Sequence, residues 1–379
     1  MTEAEAVRLG LAQDDVAASL QARRGIAAGN AAAAGRWDNP EIEFSEENVD
    51  LDGGSSEERD FWIRQRLNIA GVHGLRRDAA ARQQQAQNVR TAFSEHEIAA
   101  EIRLHFYEAL AADAETKVIE GWHSRLAELS RAVSSRVAAG DASRYDQSRL
   151  EGELAMLRGE LLTAAARAES AHDHLFSRIG SEATSIKGDL LPPSADRTRG
   201  SGVVDDHPLL RAMDIEAAGE RISARAESRR KWPELTLGFG RRWVSEPGFN
   251  TNGHLVMVGL EIPIFDRGTG KAQAHESRAQ QLTAERALSE ARLASDLRAI
   301  QRTLEARRQA ALALRNFDVA ASDSLASIAE SAYSAGEIGV MELIDAHRTE
   351  LAARREFVSR SLAARQAFIE LQLQTGQLQ

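Results

Sequence analysis

Clustered histidines are the first residues in this chain whose types could do chemistry, and the chemistry would be metal ligation. His172-Asp173-His174 and the pair His96 and His105 carry ligating side chains. Residues two apart on a helix point in different directions, so His172 and His174 do not share a face and the spacing predicts no metal site. Gly268-Thr269-Gly270 has the small residues of a phosphate loop but lacks the Lys-Ser/Thr ending, so a turn is expected there. No grouping of Ser, His and Asp stands out. With no cysteine at all, disulfides, thiolate sites and cysteine nucleophiles are excluded. The sequence therefore predicts no catalytic residue, no resident metal and no cofactor.

Composition narrows the remaining classes. In 379 residues there are 47 Lys+Arg against 57 Asp+Glu, a net charge of −10. The basic residues do not gather into one face, which argues against a nucleic-acid partner. Mean hydropathy is −0.38 and no apolar run approaches the ~18 residues of a membrane-spanning helix. A spanning β-barrel is not excluded, since alternating strands average out as polar. Met1-Thr2-Glu3-Ala4-Glu5 lacks the basic start and apolar middle of a signal peptide. Taken literally, that opening reads as cytosolic.

The elements follow from seven prolines, which leave residues 41–191 and 264–379 free of proline and rich in Ala, Glu, Arg, Gln and Leu. Such stretches are composed for long helices. Trp122, Leu126, Leu129, Val133 and Val137 recur at helical spacing, as do Leu293, Leu297, Ile300, Leu304, Ala311 and Leu314, each a coiled-coil-like stripe. From Lys271 to Tyr333 no strong breaker interrupts the pattern, enough for a helix of roughly 90 Å. Between the helices the period changes to two. Ile42 and Phe44, then Phe61 to Ile69, Leu235 to Phe239 and the denser Leu255 to Ile264 predict four strands in two hairpins. Polar loops are expected at Asn48–Arg59 and Ser245–Gly253.

These pieces recur in the same order. Trp37-Asp38-Asn39-Pro40 opens one strand pair and Trp232-Pro233 the other, each hairpin ends in a glycine turn, and each long helix meets a second glycine bend, at Gly140 and Gly336. The offset stays near 195 residues, which indicates an internal duplication. Residues 1–180 are expected to form a first repeat (helix, β-hairpin 40–70, helical hairpin with its tip near 140). Residues 181–207, with Pro192-Pro193 and Gly200-Ser201-Gly202, form a linker. Residues 208–379 form the second repeat (helix, β-hairpin 233–265, tip near 336).

Four strands standing alone leave two open edges, and in a membrane such edges are forbidden, so closure requires strands from several chains. Trp37, Trp62, Trp232 and Trp243 lie in or beside the strands, as an aromatic girdle at a bilayer interface would. The competing account is a soluble sheet that buries its tryptophans.

Two segments resemble a known family, the TolC-type outer membrane efflux proteins, and within it the heavy-metal branch of CzcC and CusC-like proteins. They are Gly259-Leu260-Glu261-Ile262-Pro263-Ile264-Phe265-Asp266-Arg267-Gly268-Thr269-Gly270 and Ala332-Tyr333-Ser334-Ala335-Gly336-Glu337-Ile338-Gly339-Val340-Met341-Glu342-Leu343-Ile344-Asp345-Ala346-His347-Arg348. The opening Asn39-Pro40-Glu41-Ile42-Glu43-Phe44-Ser45 is similar to the metal-pump branch. The resemblance implies a mostly α protein with β: a long α-helical coiled-coil barrel, and four strands per chain in a shared twelve-stranded trimeric β-barrel. It further implies a passive exit duct for heavy-metal cations, in the outer membrane with most of the chain in the periplasm. The implied partners are two further copies of the chain, a periplasmic adaptor, an inner-membrane pump of the RND type and outer membrane lipid. The missing leader departs from the family and leaves a truncated start or a degenerate copy as readings. A soluble helical coiled-coil scaffold is the alternative from a different class.

By the same resemblance, Gly140, Asp141, Ala142 and Ser143, with Gly336, Glu337, Ile338 and Gly339, are the adaptor-contacting tips. Glycine has an independent reason to be there, since reversing a helix commonly needs a left-handed residue, so a bend serving only the fold is the competing reading. Glu342 and Asp345 match the acidic residues that ring the aperture in the family, with Asp146 near the equivalent place in the first repeat. Three residues apart, Glu342 and Asp345 share one helix face, and in a trimer each would form a ring of three carboxylates favouring cations. Solvated surface charge is the competing account.

Overall fold

The computed structural model describes residues 1–51, 54–181, 185–194, 204, 206–319 and 325–376. Among them are eight α-helices and four antiparallel strands. In chain order they are α1 (Glu3–Leu11), α2 (Asp14–Ala33), β1 (Glu41–Leu51), β2 (Gly54–Leu67), α3 (Val72–Ala139), α4 (Arg144–Ile179), α5 (Pro208–Ser228), β3 (Glu234–Glu246), β4 (Phe249–Glu261), α6 (Thr269–Val319), α7 (Leu325–Ala335) and α8 (Val340–Gln374). By internal contacts the chain divides into two compact units, residues 1–20, 93–207 and 291–379, and residues 21–92 and 208–290. Each unit therefore takes residues from both sides of the 181–207 segment.

Local chemistry sets the helix ends. Thr2 and Glu5 form a reciprocal capping box at the start of α1. Asn68 accepts from the Val72 amide at 2.9 Å to begin α3, and Pro208 takes the first position of α5, where its missing N–H costs nothing. Within the helical unit, Ile119, Trp122, Leu126 and Val133 of α3 pack with Leu150, Leu157 and Ala164 of α4 and with Val340 and Ile344 of α8. Leu129 and Val137 flank that cluster, so the first predicted stripe is the buried one. In α6, Leu293, Leu297, Leu304 and Ala311 are buried. The helix expected over 271–333 is described up to Val319 and again from Leu325, and residues 320–324 lie outside the described residues.

The sheet, in the other unit, has the order β1-β2-β3-β4, so β2 and β3 join the two hairpins. Registers such as Phe44↔Phe61, Ile63↔Phe239 and Leu237↔Val258 bring the apolar residues to one face. The loops expected at Asn48–Arg59 and Ser245–Gly253 are instead mostly strand. β3 and β4 are joined by Pro247 and Gly248 alone, the latter at φ +84°, the positive angle that a proline-glycine turn of type II demands. The polar residues stay in the ladder because they pair across it: Arg59 reaches Glu46 at 3.4 Å, and Arg242 meets Glu58. Gly53 lies outside the described residues, and Ile69 falls beyond the end of β2.

The described part of the expected linker is docked. Ile186 and Leu191 are buried, and Arg365 of α8 donates to the carbonyls of Leu190 at 3.2 Å and Leu191 at 3.1 Å. Gly200-Ser201-Gly202 lies outside the described residues.

Candidate functional site

The two helical hairpins turn by the same hydrogen bonds. At the end of α3, the Gly140 amide donates to Val137 at 3.1 Å and the Asp141 amide to Arg136 at 2.8 Å. At the end of α7, Gly336 donates to Tyr333 at 3.1 Å and Glu337 to Ala332 at 2.8 Å. Both are Schellman turns with a left-handed glycine, φ +85° and +77°. They lie 196 positions apart in the chain. Gly140, Asp141, Ser143, Gly336, Glu337 and Gly339 are exposed, while Ala142 and Ile338 tuck against apolar neighbours in the two hairpin cores. Ser143 caps α4 by accepting from the Tyr145 and Asp146 amides; Gly339 starts α8 without a side-chain cap.

Glu342 and Asp345 are both exposed, one turn apart on α8, and Asp146 is half-buried in the first turn of α4. The fold does not leave them equivalent. The hydrogen bond to Glu153 first, against the cost of burial, and the charge of Asp345 in addition hold the Arg348 guanidinium above its ordinary pKa. Asp146 lies near Tyr333, whose phenol is raised by burial first and by Asp146 in addition, against the opposing charge of Arg136. The Arg136 guanidinium stands 5.8 Å from the Tyr333 ring centroid.

Two further sets of residues in this unit escaped the sequence reading. Arg348 grips Glu153 through two of its guanidinium nitrogens, with Nε to Oε1 at 2.7 Å. One heptad on, Arg355 reaches Glu160 at 3.0 Å and Glu115 at 2.8 Å. Both α4–α8 pairs join positions 195 apart, close to the repeat offset, and that coincidence of spacing and opposite charge is the signal in the sequence. Beside them His347 is buried and stacked on Trp122, with centroids 4.0 Å apart and planes at 18°. Burial lowers its pKa to about 4, and nearby Arg125 works in the same direction against Glu350. Its Nε2 lies 3.1 Å from a Glu330 carboxylate oxygen. As for the histidines singled out above, His172 meets Asp113 at 2.9 Å while His174 stacks on His105, the two directions that their spacing requires.

The sheet separates its two faces by chemistry. Ile42, Phe44, Ile63, Leu237, Phe239, Val256, Val258 and Leu260 stand on one face, and all are exposed, Val256 at 76%. The opposite face carries Glu43, Glu58, Asp60, Arg64 and Arg242, tied by Arg64 to Glu43 and by Arg242 to Asp60 at 2.6 and 2.8 Å. A sheet dissolved in water would hide the first face and wet the second. Trp243 lies on the apolar face; Trp37 and Trp232 precede β1 and β3 at the end of the sheet where the helices join, both exposed. Trp62 does not join them. Its ring lies on the charged face over Gly240, where a Cβ would come within 2.8 Å of it, and the Arg64 guanidinium is 5.5 Å from its centroid.

Residues 203–377 match the family described as outer membrane efflux protein. The cobalt-zinc-cadmium resistance protein CzcC of Cupriavidus metallidurans is 25% identical over 297 residues, 77% of this chain and 71% of that protein. The nickel-cobalt-cadmium resistance protein NccC of Alcaligenes xylosoxydans xylosoxydans is 26% identical over 257 residues, 65% of this chain and 58% of that one. The second half of the chain thus matches that family, and the likeness to CzcC extends over 77% of the chain. Solved channels share its fold: CusC superposes with a TM-score of 0.80 at 15% identity, covering 98% of this chain and 91% of that one. VceC of Vibrio cholerae superposes at 0.79 with 16% identity, covering 99% and 96%.

The matched family is one of outer membrane efflux proteins, which speaks against the soluble scaffold reading. The apolar face of the sheet is exposed, as an outer membrane channel needs and as a soluble sheet would not leave it, which speaks against the soluble-sheet account of the strands.

Proposed function

We propose that three copies of this chain form the exit duct of a tripartite efflux system for heavy-metal cations, fed by an inner-membrane RND pump through a periplasmic adaptor. The observation that carries the substrate class is the alignment with CzcC across 77% of the chain, a protein named for cobalt, zinc and cadmium resistance. The geometry supports the duct. β1 and β4 are edge strands of the four-stranded sheet, and pairing β1 of one copy with β4 of the next closes twelve strands into a barrel without an open edge. Its apolar face then meets lipid and its ion-paired face lines the lumen.

The adaptor docks on the tips at Gly140 to Ser143 and Gly336 to Gly339, whose exposed Asp141 and Glu337 offer a charged contact. Glu342 and Asp345, with Asp146, ring the aperture near those tips. Rings of carboxylates repel one another and are relieved by a cation, so they favour metal ions over anions without selecting one metal. Selectivity and energy come from the pump.

Resistance in cells tests this reading. In a host that carries the matching adaptor and pump, deleting this gene should lower tolerance of cobalt, zinc and cadmium, and restoring it should recover that tolerance. Unchanged metal tolerance with the pump expressed would overturn the substrate class.

A further inference from the structure

On β3 the apolar face runs Leu235, Leu237, Phe239 and then turns polar at Arg241, followed by Trp243. Arg241 stands six residues above Leu235, roughly 20 Å along the strand at ~3.3 Å per residue, toward the Pro247-Gly248 turn. With barrel strands tilted about 35–45°, that is about 15 Å of height, and no aliphatic residue follows Phe239 on this face of β3, so the arginine marks the far edge of the apolar band. The helices leave from the opposite end of the sheet and are periplasmic, which puts Arg241 at the height of the outer-leaflet headgroups.

Its surroundings differ from those of three other strand arginines. Arg59, Arg64 and Arg242 each meet a carboxylate. Among the described residues Arg241 meets none. One of its nitrogens donates to Asn252 Oδ1 at 3.0 Å and its guanidinium lies 5.3 Å from the Trp243 ring centroid. His254 is its register partner on β4 and stacks on Phe239 at 6.1 Å. The guanidinium is thus held flat, between an amide and an indole, with donors left over on the lipid-facing surface. A planar cation fixed in that way suits bidentate binding of a phosphate.

We propose that Arg241, positioned by Asn252 and Trp243 and flanked by His254, docks the phosphate of an outer-leaflet lipid headgroup. The proposal rests on the barrel reading above. Three such sites in a trimer would fix its depth and surround it with phosphorylated lipid.

The full-length trimer, reconstituted in nanodiscs of phosphatidylcholine containing lipid A, tests it by native mass spectrometry of the lipid retained on extraction. Wild type should keep phosphorylated lipid A and release its dephosphorylated form, and Arg241→Gln should weaken retention about tenfold, the loss of one charge-assisted contact. Asn252→Ala, which frees the guanidinium without removing its charge, should fall between the two and serves if Arg241→Gln fails to assemble. Equal retention by wild type and both variants, or equal retention of the dephosphorylated lipid, would overturn the site. In parallel, brominated phosphatidylcholine should quench the emission that Trp243→Phe removes. Quenching without an arginine effect rejects the lipid site alone, whereas absence of quenching rejects the lipid-facing sheet as well.

Discussion

Arg348 on α8 and Glu153 on α4 are 195 residues apart in the chain and meet in a two-pronged ion pair, with Nε 2.7 Å from Oε1. Glu153 is buried while half of the Arg348 side chain is exposed, so the pair is asymmetric: the carboxylate depends on the guanidinium more than the reverse. Replacing Arg348 by Met leaves a buried charge without its partner, at a cost of about 1–3 kcal/mol. Thermal unfolding of the detergent-solubilised trimer should show a clear drop in Tm for Arg348→Met. Glu153→Gln, which removes the charge that needs a partner, should cost less, and the double variant should lie above the sum of the two.

His347 makes stability depend on pH. Its folded pKa, about 4, lies below the ordinary value of 6.5 because burial against Trp122 disfavours the imidazolium. A depressed histidine favours the folded state above the unfolded pKa, and that contribution is lost as pH falls from about 6.5 through the folded value. The shift corresponds to roughly 3 kcal/mol. The Tm of wild type should fall over this window, and the fall should be shallower in His347→Gln.

Glycine 240 holds the two central strands together. A Cβ there would meet the Phe61 carbonyl oxygen at 2.7 Å and the Trp62 ring at 2.8 Å. The backbone contact cannot relax without breaking the β2–β3 register, so Gly240→Val should abolish the heat-modifiable trimer on gels. Gly253→Ala, where a Cβ has open space, should leave it intact.

The tips separate fold from partner. Gly140→Ala and Gly336→Ala each force a left-handed alanine, costing about 1–2 kcal/mol, whatever the adaptor does. Asp141→Lys with Glu337→Lys leaves the turns' hydrogen bonds alone, since these are made by backbone amides. The charge-reversed pair should therefore keep wild-type Tm yet lose adaptor binding in a pull-down. Wild-type binding would confine the tips to a folding role.

Much of this was legible from residue spacing. The stripe from Trp122 to Val137 is buried, the glycine bends at Gly140 and Gly336 turn the helices, and strand alternation marks an apolar face from Ile42 to Leu260. Hairpin ends were not, because near the turns the ladder is held by pairs such as Arg242 with Glu58, which carry no alternating pattern. Trp62 was drawn to the girdle by its residue type, although its odd place beside Phe61 and Ile63 already assigns it to the other face. The ion pairs of α4 with α8 are invisible to local periodicity, since each joins residues 195 apart.

Current through planar bilayers tests the cation duct most directly. The reconstituted protein, placed in a potassium chloride gradient, should open trimeric channels whose reversal potential has the sign of cation preference. Neutralising Glu342→Gln and Asp345→Asn together should move that potential toward zero and weaken block by divalent metal ions. Channels with no cation preference, or a reversal potential unchanged by the double substitution, would contradict the carboxylate ring and the cation duct built on it.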